Sequence, residues 1–349
     1  MIRFVYGSRQ RFRRRHEDIN VLGRAHVALP VRSATYRVGG GAPRPFYVEP
    51  TPDPGLDWSY EYKDSPARLR LIGAGDFNLE IPVDAPELAP GGNHVTVEIL
   101  DREGGRHEAH VELDWDPRPV PLPVRIGDLS AAGGVQDIGQ VVDGAFDIDP
   151  LQHVIRARGR VKPDSLLLLG GPAGSQEATY AFRYFDGSRS KYIGLSDFFV
   201  RHEVEDPHLP IKPGWSTAGL ATLRPRGEFA WEARIWLAAA DRPGWRPAAP
   251  GDGLPRRGSW LVRTDPPAYF RPEPDVAYRV RHQVRFEGDE HHSRFRLWQE
   301  GTPEPAAWLC DETTAGRASA PAHTRATFGL FMHSGVPSEW WDIEVRPLN

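Results

Sequence analysis

The chain has 349 residues, of which 40% are hydrophobic and 26% are charged, as in a globular protein rather than a disordered one. Its formal net charge of -4 at pH 7 argues against a general nucleic-acid binder, because such proteins carry excess positive charge. The single cysteine, Cys310, excludes an internal disulfide and a Cys-x-x-Cys metal site.

The first segment, 1–17, reads MIRFVYGSRQRFRRRHE and is strongly basic. No apolar region follows it, as a signal peptide would require, and no apolar run in the chain is long enough to span a membrane. We interpret 1–17 as a solvated basic leader. The sequence as written predicts a cytoplasmic location by default, or an extracellular or cell-surface one for a chain that is processed or exported by another route.

Residues 18–117 contain short segments in which apolar and polar residues alternate with a period of two, so that each can bury one face of a strand. The segments are VRSATYRV (31–38), ARLRLI (67–72), FNLEIPV (77–83), HVTVEIL (94–100) and HEAHVELDW (107–115). DREGG (101–105) has the composition of a hairpin turn. A block of this length and pattern predicts one immunoglobulin-like β-sandwich.

The proline-dense stretch DPRPVPLPV (116–124) does not suit a central strand, and we interpret it as a linker between two domains. Beyond it, 118–349 shows no long amphipathic helical pattern but many short strands, which predicts a large two-sheet jelly roll. The strands are QVVDGAFDI (140–148), HVIRARGRV (153–161), ATYAFRYF (178–185), EFAWEARIWLAA (228–239), SWLVRT (259–264), VAYRVRHQVRF (276–286), RFRLWQE (294–300), RATFGLFMH (325–333) and WWDIEVRPL (340–348).

Two parts of the chain resemble known families. YRVGGG (36–41) with GDFNLEIPVDAPELAPGGNHVTVEILDREG (75–104) resembles the Ig-like modules that precede catalytic or lectin-like domains in bacterial carbohydrate-active proteins. The end of the chain is similar to the concanavalin A-like lectin/glucanase superfamily, including laminin-G-like domains. The residues that carry this second resemblance are YRVRHQVRFEG (278–288), RFRLWQEG (294–301), FGLF (328–331) and WWDIEVRPL (340–348). The resemblance implies an all-β fold, but it leaves the activity open because this fold hosts lectins, glycanases, lyases and adhesion modules.

Strand periodicity places arginines and aromatic residues on the faces opposite the apolar ones. If these strands share the concave sheet of the jelly roll, they line a groove for an acidic polysaccharide, because guanidinium groups pair with carboxylate or sulfate and aromatic rings stack on sugars. The alternative is that these faces are solvated, or that half of them lie on the convex sheet. The candidate ligand-binding residues are Arg183, Arg234, Trp236, Arg279, Arg281, Trp298 and His333.

A polysaccharide-degrading enzyme on the same face is the alternative function. The glucanases of the superfamily carry an ExDxxE or ExDxE strand, which this sequence lacks. Glu232 is a candidate catalytic carboxylate for a hydrolase, which needs two such groups facing one groove. His333 is a candidate base for a lyase, which removes a proton from a uronate.

The sequence requires no cofactor. Asp143, Asp147 and Asp149 in DGAFDIDP (143–150) are candidate ligands for a structural calcium ion, since calcium stabilises many sandwiches of this superfamily. The sequence therefore predicts an all-β protein of two sandwiches whose second domain binds a polysaccharide or other glycan. An enzyme and a structural or adhesion module remain the alternatives, and the oligomeric state is not predicted.

Overall fold

The computed structural model describes two compact units, the first ending at Pro119 and the second beginning at Val120. This division lies within the proline-dense stretch that the sequence marks as a boundary. Among the residues that the structure describes, the only helix is α1 (Val135–Ile138), so the predicted all-β class is confirmed. None of these residues forms a helix long and apolar enough to cross a membrane. The described residues are 1–50, 71, 73–157, 165–185, 193–201, 216–226, 230–238, 260–265, 267–288, 290–315, 324–332 and 338–348.

The first unit is a sandwich of a three-stranded sheet, β1-β3-β6, and a five-stranded sheet, β2-β8-β7-β4-β5. Its strands are β1 (Ile2–Phe4), β2 (Arg9–Arg14), β3 (Asp18–Ala25), β4 (Ser33–Val38), β5 (Arg44–Pro45), β6 (Asp76–Pro82), β7 (Gly91–Leu100) and β8 (Arg106–Pro119). Alternate residues of the two sheets meet in one core, where Ile19 and Phe77 from one sheet pack with Val95 and Val97 from the other. The period-two pattern thus buries one face of each sheet.

Residues 1–17 are part of this sandwich, so the prediction of a separate basic leader is wrong. β1 pairs antiparallel with β3, and β2 pairs in parallel with β8. The basic run itself alternates: Gln10 and Phe12 are buried, whereas Arg9 and Arg11 point outward. The outward arginines form ion pairs with Glu112 and Asp114 of β8. Basic residues of this segment therefore occupy exposed positions of a strand.

The predicted turn at DREGG joins β7 to β8 as a hairpin. Gly104 has a φ of 93°, a conformation that favours glycine. The carboxylate of Asp101 accepts hydrogen bonds from the backbone N–H groups of Glu103 and Gly105 at 2.9 and 2.8 Å. The turn therefore fixes the register between β7 and β8.

The second unit is a sandwich of two eight-stranded sheets. One sheet, here called the arginine sheet, has the order β11-β12-β24-β14-β20-β21-β22 with β9 paired to β24. The other, here called the opposite sheet, has the order β10-β13-β23-β15-β16-β17-β18 with β19 paired to β17. The strands are β9 (Val124–Ile126), β10 (Gln140–Asp143), β11 (Phe146–Asp149), β12 (Val154–Ala157), β13 (Ser165–Leu168), β14 (Gln176–Tyr184), β15 (Ile193–Arg201), β16 (Ser216–Arg226), β17 (Ala230–Ala238), β18 (Trp260–Arg263), β19 (Ala268–Tyr269), β20 (Tyr278–Glu287), β21 (Glu290–Gln299), β22 (Cys310–Thr313), β23 (Thr327–Met332) and β24 (Ser338–Pro347).

The segment QVVDGAFDI does not form the single strand that the sequence predicts. It breaks at Gly144, which has a φ of 73°, and its two halves enter different sheets as β10 and β11. A Cβ atom at this glycine would collide with the hydroxyl of Ser165, so the turn requires a residue without a side chain at this position. The break separates Asp143 from Asp147 and Asp149.

A buried histidine joins the two sheets of the second unit. His282 of β20 is 0% exposed, and its Nδ1 lies 2.7 Å from the hydroxyl of Ser196 on β15. Its Nε2 lies 2.9 Å from the hydroxyl of Ser293 on β21, and the ring of Phe198 packs against it at 4.6 Å. Burial lowers the pKa of His282 to about 3, because the interior disfavours the imidazolium form. The imidazole is therefore neutral in the folded protein at ordinary pH.

This burial predicts a specific acid sensitivity. The folded pKa lies below the unfolded value near 6.5, so below pH 6.5 the unfolded chain binds more protons and stability falls as the pH drops toward 3. One such group changes the free energy of unfolding by at most about 1.4 kcal/mol per pH unit. His282→Gln keeps hydrogen-bonding groups for both serines but does not titrate. Urea unfolding between pH 6.5 and 4 should show a smaller pH slope for this variant, and equal slopes would contradict the account.

Candidate functional site

The outer face of the arginine sheet carries most of the predicted ligand-binding residues. Along β14, Tyr180 and Phe182 are 0% exposed and point into the core, so Arg183 points outward. Along β20, Val280 and His282 are likewise buried, and the residues between them point outward. The outward groups of the three central strands are Glu177, Thr179 and Arg183 on β14, Arg279, Arg281, Gln283 and Arg285 on β20, and His292, Arg294, Arg296 and Trp298 on β21.

Cross-strand register places charges and amides directly beside one another on this face. Glu177 of β14 lies opposite Gln283 of β20, which lies opposite Arg294 of β21. In the next outward row, Arg281 lies opposite Arg296. Side chains opposite each other across neighbouring strands interact directly. The sheet therefore presents an ordered array of polar groups.

Arg281 is the centre of one charge cluster. Its guanidinium bonds to the carboxylate of Glu177, and its Nε and Nη2 atoms donate to Glu304 at 2.8 and 2.9 Å. Arg346 donates two further bonds to Glu177, at 3.0 and 2.7 Å, and Arg296 donates to Glu304 at 2.6 Å. The cluster links β24, β14, β20 and β21 through alternating charges.

The carboxylates of this cluster are held in their ionised form. Burial raises the pKa of Glu177, but hydrogen bonds from Gln283 and Arg346 together with the charge of Arg281 outweigh it, and the pKa is lowered. The hydrogen bond from Arg281 lowers the pKa of Glu304. The pKa of the Arg281 guanidinium is raised in turn, chiefly by its bond to Glu304. Neither carboxyl is poised to donate a proton near neutral pH.

A second cluster surrounds Glu339 of β24, which is 3% exposed. Its carboxylate accepts from Arg156 at 2.6 Å and from Arg183 at 2.7 Å. Arg156 also pairs with Asp149 at 2.9 Å, so this candidate calcium ligand serves as an ion-pair partner. The guanidinium of Arg183 lies 6.0 Å from the ring of Trp341.

Arg279 has carboxylate partners as well: it bonds to Asp342 at 2.6 Å and to Glu300 at 3.2 Å. Arg183, Arg279 and Arg281 are thus all paired with acids of the chain itself. The groups that the sequence analysis assigned to a glycan carboxylate or sulfate have internal partners already. Their fixed geometry makes the outer face a rigid one.

Two guanidinium groups of this face differ from the rest. Within the part of the chain that the structure describes, Arg285 and Arg294 have no carboxylate partner. Arg294 donates to the side-chain oxygen of Gln283 at 2.8 Å and lies 4.3 Å from the ring of Trp308. Arg296 lies 4.1 Å from the same ring, so two cations share one indole.

The remaining predicted site residues lie elsewhere. Arg234 is 6% exposed on β17 of the opposite sheet, where its guanidinium donates to the carbonyl of Thr264. Trp236 and Glu232 belong to the same strand, but their side chains lie outside the described residues, as does His333 altogether. The structure therefore brings four of the predicted residues onto one face, Arg183, Arg279, Arg281 and Trp298, and places β17 in the other sheet.

The candidate calcium ligands are divided between the sheets. Asp143 is 1% exposed on β10, and Asp147 and Asp149 lie on β11. In the described ranges, no group of three or more His, Cys, Asp or Glu residues is arranged to hold a metal ion. Calcium is therefore not assigned to these aspartates.

Sequence reasoning missed several residues that build the outer face. Glu177 could have been found by extending the alternation of ATYAFRYF one position toward the N-terminus. In the predicted strand 340–348, strict alternation would place Trp341 on the same face as the core residues Ile343 and Val345. The register shift near Asp342, whose φ is 49°, places Trp341 on the outer face instead. Glu304 and Trp308 follow the end of β21, where no periodic signal exists.

Comparison with known proteins shows what the chain is similar to. No protein-family profile and no curated protein sequence matches it. The carbohydrate-binding module CBM66 of Bacillus subtilis matches at 11% identity and a TM-score of 0.35, over 60% of this chain and 95% of that one. Lectin II from Ulex europaeus matches at 8% identity and a TM-score of 0.37, over 66% and 100%.

The catalytic domain of a family 131 glycoside hydrolase from Coprinopsis cinerea also matches, at 7% identity and a TM-score of 0.33, over 64% of this chain and 93% of that one. At these TM-scores the likeness assigns no residue and no activity to this chain.

The charge clusters predict unequal effects for two arginines of one strand. Arg281→Met leaves Glu177 and Glu304 without a shared partner, and should lower the free energy of unfolding by about 1–3 kcal/mol. Arg285→Met, the matched control, removes a group with no carboxylate partner among the described residues and should change it by at most about 0.5 kcal/mol. Urea unfolding at pH 7 measures both, and equal effects would show that the cluster does not stabilise the sheet.

Proposed function

We propose that the second unit binds carbohydrate through the outer face of the arginine sheet. The observation that carries this proposal is a set of partly exposed tryptophans, Trp298, Trp308 and Trp341, set among charged groups whose positions are fixed by ion pairs. Indole rings pack against the apolar faces of sugar rings, and fixed carboxylate and guanidinium groups bond to hydroxyls. Groups held in place before binding lose little entropy on binding.

The spacing of two of these rings supports an extended ligand. In cross-strand register, Trp341 lies opposite Ala181, Ala181 opposite Arg279, and Arg279 opposite Trp298. Adjacent strands lie about 4.8 Å apart, so the two tryptophans stand about 14 Å apart across the strands. Ala181 and Arg279 lie between the two tryptophans in this register, and Ala181 itself is 0% exposed. The arrangement suits an oligosaccharide or polysaccharide rather than a monosaccharide.

The preference for an acidic glycan, predicted from the arginine row, rests on Arg285 and Arg294. Of the arginines named in the prediction, Arg183, Arg279 and Arg281 are paired with carboxylates of the chain. A sulfate or uronate group would form its ion pairs with these two arginines, which lie on the adjacent strands β20 and β21. Calcium as a structural ion of this unit remains part of the proposal, and its ligands are not assigned.

Binding is favoured over hydrolysis at this face. A carboxyl acting as general acid in a glycosidase needs a raised pKa. The pKa values of Glu177 and Glu304 are both lowered. Their partners keep them ionised as hydrogen-bond acceptors.

Affinity electrophoresis through gels containing neutral, uronic or sulfated polysaccharides, with and without calcium, tests the function. We expect retention by at least one polysaccharide, and about tenfold weaker retention for Trp298→Ala and for Trp341→Ala, since one lost ring contact of about 1.4 kcal/mol has that effect. Tyr269→Ala is the control, because Tyr269 is an aromatic residue 64% exposed on the opposite sheet. No retention by any polysaccharide, or retention that only the Tyr269 variant weakens, would overturn the proposal.

The acidic preference has its own test. If Arg285 and Arg294 bind the anionic group, the double variant Arg285→Gln/Arg294→Gln should lose retention by uronic or sulfated polysaccharide while keeping any retention by neutral ones. Retention of the wild-type chain by the acidic polysaccharide should also weaken as salt rises. An unchanged double variant would show that the anion, if bound, is held elsewhere.

A further inference from the structure

Two histidines meet on the outer face of the five-stranded sheet in the first unit. His94 lies on β7 and His110 on β8, and both side chains point away from the core because Val95 and Val111 beside them are 0% exposed. The Nε2 atom of His94 lies 3.2 Å from the Nδ1 atom of His110, and the ring centroids are 4.8 Å apart. These two histidines take no part in the proposed carbohydrate site or in the ion pairs of the second unit.

The surroundings of His110 determine which of its ring nitrogens carries the proton. Its Nε2 lies 3.1 Å from the carboxylate of Glu108, so this nitrogen carries the proton and donates it. Its Nδ1 is then a lone-pair acceptor. The hydroxyl of Thr96 lies 3.2 Å from the same Nδ1, so His94 and Thr96 both approach a single lone pair.

This arrangement has the geometry of a partial metal site. Zinc binds imidazole nitrogens at about 2.0–2.1 Å, so two nitrogens of a tetrahedral site stand about 3.3 Å apart. The observed separation of 3.2 Å is close to that value. A ligating histidine characteristically donates its other N–H to a carboxylate, which orients the ring and strengthens it as a ligand. Glu108 has this position relative to His110.

We propose that His94 and His110 form a surface zinc site on the first unit. Zn²⁺ replaces the hydrogen between the two rings: His94 moves its proton to Nδ1 and presents the Nε2 lone pair, and His110 presents Nδ1 without any change. The hairpin turn at 101–105 fixes the register of β7 and β8, so the two ligands need little rearrangement. Water fills the remaining coordination positions.

The site stabilises the hairpin by mass action, because zinc binds the folded pair and not the unfolded chain. Protons compete with the metal for the imidazole lone pairs. Zinc binding should therefore weaken as the pH is lowered.

Isothermal titration of the full chain with zinc chloride at pH 7.5, in a buffer free of chelators, tests the proposal. His94→Gln and His110→Gln should each bind one zinc ion fewer per chain than the wild type, or bind that ion at least tenfold more weakly. His26→Gln is the matched control, because His26 is an exposed histidine of the same unit. Circular dichroism shows whether the variants keep the fold, as expected for substitutions on an exposed face.

Cobalt binding provides a second measurement on the same site. Co²⁺ bound by the pair should give the visible absorption of a low-symmetry complex in the wild type and in His26→Gln, and this signal should be missing from the two pair variants. Zinc and cobalt binding unchanged in both pair variants would overturn the proposal. A loss of the same size in His26→Gln would overturn it too, because the signal would then not belong to the pair.

Discussion

The buried carboxylate of Glu177 is the constraint on which the second unit's arginine sheet depends. Its side chain is only 2% exposed, yet it bonds to Arg281, Arg346 and Gln283, which lie on the strands at either side of its own. A carboxylate removed from water must be compensated by such partners, and removing one of them is costly. The buried charge near the start of β14 thus requires arginines on β20 and β24. In YRVRHQVRF, Arg281 compensates this buried acid, whereas Arg279 pairs with the more exposed Glu300 and Asp342.

The same pairing determines what the outer face can do. Because Arg183, Arg279 and Arg281 are occupied, the face acts as a rigid, hydrogen-bonding surface around its tryptophans rather than as a strip of free positive charge. Arg285, near the end of β20, and Arg294, in the middle of β21, are the exceptions. Under the proposed function, a neutral sugar chain would contact the tryptophans and fixed charges, and an acidic chain would also contact these two arginines.

Periodicity predicted much of the fold because each strand buries alternate residues. Tyr180, Phe182 and Val280 lie on the apolar faces that period-two alternation defines in ATYAFRYF and VAYRVRHQVRF, and all three are 0% exposed. Parity says nothing about which sheet a strand joins, because that depends on pairing between residues far apart in sequence. Arg234 and Arg281 therefore looked equivalent in sequence but lie in different sheets.

Other features of the chain were hidden for local reasons. The strand Arg9–Arg14 was not predicted from the sequence. Its arginines made the segment look like a charged surface run, although Gln10 and Phe12 between them are buried. Glu304 lies in an aperiodic segment after β21, and only the folded chain brings it to Arg281. The His94–His110 pair lies sixteen positions apart, on strands whose alternation was predicted. Only their register shows that the two rings meet.

Hydrogen–deuterium exchange of the full chain, with and without a polysaccharide that retains it in a gel, tests the central claim most directly. The account predicts slower exchange on binding in β20, β21 and β24, the strands that carry Arg279, Trp298 and Trp341. Protection confined to β16, β17 and β18 of the opposite sheet, or to the first unit, would contradict it. In that case the tryptophans and paired charges of the arginine sheet would be a solvated surface with a structural role alone.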